Sequence, residues 1–75
     1  MRKKIAKRRR RECLRRGVEV EYVHHYPKER GCAISAKYKS RDGKSNILAL
    51  ADDELEAWQM IRDAMDFYDE EVDDG

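Results

Sequence analysis

Strongly apolar residues are scarce in this chain. Val, Ile, Leu and Phe together number 13 of 75, and Trp and Phe occur once each. So little core material in 8.9 kDa supports one small domain and leaves little scaffold to hold a catalytic site rigid, so a non-enzymatic protein is expected. No apolar run approaches the ~20 residues of a membrane-spanning helix, and no membrane partner is expected. The basic N-terminus leads into no apolar stretch, which speaks against a secretory signal. The two cysteines, Cys13 and Cys32, are too few for a disulfide framework and fit a reducing compartment. The expected location is therefore cytoplasmic, or nuclear or nucleoid-associated for a DNA-bound chain.

What the chain has in abundance is charge, 44% of its residues, and that charge is segregated. The first sixteen residues carry ten Lys or Arg against one acid, and the last twenty-five carry one cation against eleven acids. The formal net charge of +1 hides this dipole. Separation of this kind concerns partners more than fold.

Three segments follow: a basic arm over residues 1–16, a β-β-β-α domain over residues 17–69, and an acidic tail over residues 70–75. Nothing breaks a helix before Gly17, yet Arg8 to Arg11 repel one another. The arm is therefore expected to be disordered or only partly helical when free, with helix toward Cys13 and Leu14. From Val18 the chain alternates: Val18, Val20, Tyr22 and His24 form one set, and Glu19, Glu21, Val23 and His25 the other. Pro27 ends this strand. A second strand is expected near Cys32–Lys39 and a third near Ser45–Leu50. With Arg41-Asp42-Gly43 as a three-residue turn, Tyr38, Ala36 and Ile34 oppose Asn46, Leu48 and Leu50, which gathers the leucines on the buried face. Asp53 and Glu56 have capping-box spacing, and Leu55, Trp58, Ile61, Met65 and Tyr68 form one helical stripe, widened by Ala57, Met60, Ala64 and Phe67. The fold class is thus α+β: a three-stranded antiparallel meander with one C-terminal helix across one face, preceded by the basic arm.

Four features bear on function. In the arm, Lys7, Arg8, Arg9, Arg10, Arg11, Arg15 and Arg16 suit a polyphosphate, because cations that neutralise phosphates release condensed counterions. Arginine outnumbers lysine seven to three there, and guanidinium binds phosphate through two hydrogen bonds. The arm resembles the arginine-rich motifs of RNA- and DNA-binding peptides, which implies a nucleic-acid partner and folding on binding. The second feature is the acidic helix, whose Glu56, Asp63, Asp66 and Asp69 are expected on the face opposite the apolar stripe as a surface for a protein partner.

Third, the open sheet face is expected to carry Lys37 and Lys39 as weaker nucleic-acid contacts and to lack an aromatic platform. Val23, Ile47 and Ala49 on that face hint at a small partner or a dimer contact. Fourth, Cys13, His24, His25 and Cys32 have zinc chemistry but no zinc-module spacing, so no metal, cofactor or small-molecule substrate is expected. The leading expectation is a nucleic-acid-binding accessory protein. The alternative is an inhibitor or adaptor that binds a host protein complex through its acidic helix and sheet edge, or a homodimer. In size and charge style the chain is similar to small early proteins of bacteriophages, a likeness that implies the inhibitor reading.

Overall fold

A computed structural model describes residues 2–26, 31–40 and 43–70. The order is α1 (Arg2–Arg15), β1 (Glu19–Tyr26), β2 (Gly31–Ser40), β3 (Gly43–Ala51) and α2 (Glu54–Glu70). The strands form one antiparallel sheet in the order β1-β2-β3, as a meander should. The expected α+β architecture is present, and the arm is helical over its described length. The expected loop over Lys28–Arg30, the turn residues Arg41 and Asp42, and the acidic tail beyond Glu70 lie outside the described residues.

Each helix end has a local cause. At the end of α1, Gly17 adopts φ 100°, a left-handed conformation that a side chain would disfavour. Its N–H donates to the Leu14 carbonyl at 3.1 Å, and the Val18 N–H donates to the Cys13 carbonyl at 3.3 Å. This is the Schellman pattern, and its usual apolar contact is supplied by Val18 and Cys13, both buried in the core. At the start of α2 Asp53 caps the helix, and the Glu56 side chain reaches back one residue beyond the cap. The Glu56 N–H donates to Asp53 Oδ1 at 2.9 Å, while Glu56 Oε1 accepts from the Asp52 N–H at 3.4 Å.

The core lies between the sheet and α2, with Trp58, Ile61 and Met65 fully buried and α1 closing it through Cys13. Burial does not leave the indole unpaired, since Trp58 Nε1–H donates to Glu54 Oε2 at 2.9 Å. Of the residues expected to widen the α2 stripe, Ala57 is buried, whereas Met60 and Phe67 are exposed.

Two features of the sheet differ from the sequence expectation, and both reverse a face. First, Ser40 pairs with Gly43 and Ala36 with Ile47, so the β2–β3 register is one residue away from the expected one. Ile47 and Ala49 turn inward, at 6% and 0% exposure, and Leu48 and Leu50 turn outward, at 57% and 62%. Volume explains the choice. Trp58 shares one buried cluster with Ala36, Ala49 and Ala57, and the observed register adds the small Ala49, not a leucine, to that cluster beside the bulky indole.

Second, β1 carries a bulge at Glu21, because Val20 pairs with Ala36 but Tyr22 with Ser35. The extra residue turns the rest of the strand over. Tyr22, His24 and Tyr26 therefore face outward opposite Ser35, Ala33 and Gly31, and Val23 and His25 take the helix side. The bulge is held by its own side chain. Glu21 Oε1 accepts from Ser35 Oγ at 2.9 Å, and Glu21 Oε2 lies 3.4 Å from Lys37 Nζ.

These placements predict that Ile47→Ala costs about 2–4 kcal/mol of unfolding free energy, whereas Leu48→Ala changes it by less than about 0.5 kcal/mol. Urea denaturation of the two variants reads the register directly, and equal losses would contradict it. Burial also raises the pKa of both thiols, Cys13 and Cys32, above the ordinary value. The folded state thus resists thiol ionisation that the unfolded chain permits. Stability from this source is intact below the ordinary thiol pKa and falls as pH rises above it. Denaturation midpoints should drop with pH in that alkaline window, and less so in a Cys13→Ala variant.

Candidate nucleic-acid interface

The basic arm is a helix with two unlike faces. Ala6 and Cys13 are buried, and with Arg9 and Arg16 they define the side turned to α2. Cys13 Sγ lies 3.9 Å from the Trp58 carbonyl oxygen. Glu12 faces Arg62 at 3.8 Å, and Arg16 reaches Asp66 and Asp69 at 2.8 Å each. Later residues of α1 thus meet later residues of α2, so the helices run in the same sense.

The cations divide along these faces. Arg9 is half-buried and pairs with Glu12 at 3.1 Å, its Nε buried without a partner. Arg16 is held by two carboxylates. Burial works against its charge, but the hydrogen bonds it donates to Asp66 and Asp69 more than offset that and push its pKa up. Asp69 also accepts from the buried Tyr38 hydroxyl at 3.0 Å, which joins α1, α2 and β2 at one carboxylate. Burial first, and then this bond, raise the Tyr38 pKa.

Six other cations of α1 make no contact with α2 through an ion pair. Lys4, Lys7, Arg8, Arg10, Arg11 and Arg15 are exposed, and among the described residues none has an acid within ion-pair distance. Lys4, Arg8, Arg11 and Arg15 follow one another at helical spacing along a single stripe about 16 Å long. Arg15, Arg16 and Arg62 line a shallow cleft with Glu12 and Cys13. Arg62 was hidden from sequence reasoning because it is a lone cation in an acidic segment.

The acidic residues do not form one outward array. Asp66 and Asp69 bind Arg16, and Glu56 is committed to the start of α2. Asp63 is exposed and lies with Glu56, Met60 and Gln59 along a groove beside β3. On the sheet, Lys37 is bound to Glu21, while Lys39 stands directly opposite Lys44. His24 and His25 lie on opposite faces, and His25 Nε2 is 3.7 Å from Glu54. Among the described residues no three His, Cys, Asp or Glu side chains gather as metal ligands would, and no helix is long and apolar enough to cross a membrane.

No protein-family model, curated protein or solved structure matches the chain.

Asp69 carries more of the α1 docking than its exposure suggests, because it serves both Arg16 and Tyr38. Asp69→Ala is expected to cost about 1–2 kcal/mol in chemical denaturation, and Asp63→Ala less than about 0.5 kcal/mol.

Proposed function

We propose that this protein binds nucleic acid, without catalysing a reaction on it, and that the outward face of α1 makes the phosphate contacts. One observation carries the reading. Lys4, Lys7, Arg8, Arg10, Arg11 and Arg15 are exposed with no acid within ion-pair distance among the described residues, whereas Arg9 and Arg16 are paired with carboxylates of the fold. Packing like charges on one face costs stability, and a polyanion relieves that cost while releasing its counterions. A rigid helix adds to this, because its guanidinium groups are arranged before binding.

The contacts fall to Lys7, Arg8, Arg10, Arg11 and Arg15, with Lys4 and the cleft cation Arg62 beside them. Arg9 and Arg16 serve the helix–helix junction instead. The acids near that junction keep phosphate away from it and hold the cationic stripe facing outward.

A second reading, an adaptor that grips a protein complex, draws on α2. Met60 and Phe67 are exposed there next to Asp63 and Glu56, an apolar-acidic strip that the core does not use. Nuclease treatment before co-purification separates the readings, since it strips a nucleic-acid partner and leaves a protein one.

The variant Arg8→Ala/Arg11→Ala/Arg15→Ala tests the leading reading. Its helical content and denaturation midpoint should be unchanged or slightly raised. On a generic duplex the slope of log affinity against log salt should shrink by about 2–3, at about 0.9 for each phosphate that is no longer neutralised. Unchanged affinity and slope would defeat the proposal. Arg9→Ala should instead lower stability and leave the slope nearly intact.

A further inference from the structure

We infer that the open face of the sheet is a platform for unpaired bases, so that the partner is single-stranded nucleic acid. This rests on the nucleic-acid reading above and extends it to a second surface. The bulge at Glu21 creates the platform by turning Tyr22, His24 and Tyr26 to the same side. Tyr22 and Tyr26 are 51% and 41% exposed, and His24 and Tyr26 meet edge to face with ring centroids 4.4 Å apart. Alternate residues of a strand recur every ~6.8 Å, a step that suits successive nucleotides of an extended strand. Aromatic faces accept any base, so such a row binds without needing a particular sequence.

The opposite wall of the face is apolar. Leu48 and Leu50 stand across β2 from Tyr22 and His24, with only Ser35 and Ala33 between them. A flat heterocycle laid over these small residues would touch rings on one side and leucines on the other.

Charge on the same face selects the occupant. Lys39 and Lys44 are directly opposed across β2 and β3, and neither has an acidic partner among the described residues. Like charges so placed destabilise a sheet, and folding alone gives no reason to keep them. An anion bridging the two ammonium groups removes the repulsion. Bases on the aromatic end with phosphate at the lysine end satisfy both halves of the surface. A second copy of this chain would set lysines against an apolar face that offers no described acid except Glu19 and Glu21, and Glu21 already holds Lys37. A duplex keeps its bases stacked inside and gives the tyrosines nothing to hold.

The test measures fluorescence anisotropy of a labelled 20-nucleotide single strand without self-pairing and of the matching duplex, at two salt concentrations. The wild-type chain is expected to bind the single strand at least about tenfold more tightly. Tyr22→Ala/Tyr26→Ala should lose about tenfold or more on the single strand and less than about twofold on the duplex. Lys39→Ala/Lys44→Ala should denature at a higher midpoint yet bind the single strand with a salt slope smaller by about 1.4. That variant keeps the test decisive should the tyrosine pair fold poorly.

Equal affinity for both probes, or tyrosine and lysine variants that bind like wild type, would overturn this inference and leave the α1 reading standing. Binding of neither probe at low salt would overturn both. A concentration-dependent dimer in sedimentation that the tyrosine substitutions dissociate, with single-strand affinity unchanged, would assign the face to self-association instead.

Discussion

The Asp69 carboxylate holds the three parts of this molecule together. It accepts from Arg16 at the end of α1 and from Tyr38 on β2, and it sits on α2. Asp66 takes the other arm of the same guanidinium. Exposed ion pairs contribute little singly, but two carboxylates on one guanidinium, backed by a buried phenol, resist the fraying that usually afflicts a terminal helix. Cys13, fully buried against the Trp58 backbone, supplies the apolar half of the same junction. Without this seam the basic segment would be a charged tail. With it, the segment is a helix whose rotation about its axis is set.

Docking matters because α1 has little reason to fold alone. Its first turn holds no acid to complement the helix dipole, and its cations crowd consecutive turns. α2 is the opposite case, with acids Glu54 and Glu56 in its first turn and Asp53 capping its start. Opposed charge at the two ends of the sequence thus becomes a local arrangement. Asp66 and Asp69 of α2 hold Arg16, Glu12 of the arm itself holds Arg9, and the exposed cations of α1 have no acid within ion-pair distance among the described residues. In the proposed function, the charge that remains outside is what meets the phosphates.

The element order and most boundaries were legible because single residues set them. Gly17 stops α1, and Asp53 and Glu56 open α2. The helix over Arg2–Arg15 was not, since repulsion among Arg8 to Arg11 argues against helix and only the tertiary junction outweighs it. The β2–β3 register was misread because counting apolar residues favours burying Leu48 and Leu50, whereas the folded core takes in Ile47 and the small Ala49 together with Trp58. The bulge left no mark either, because Val18 to His24 alternate as an unbroken strand would. That one inserted residue moves the aromatic row to the open face. The division between Arg9 and Arg16, which pair with acids, and the exposed cations Lys4, Lys7, Arg8, Arg10, Arg11 and Arg15 likewise required the helix to be seated.

Amide hydrogen exchange on the free protein tests the central claim most directly. A docked α1 predicts that the amides of Arg9 to Cys13 are protected to within about tenfold of those at Trp58 to Met65, and that Asp69→Ala lowers protection in α1 far more than in the sheet. Exchange across α1 at the rate of an unstructured chain, in the free protein at low salt, would contradict the account.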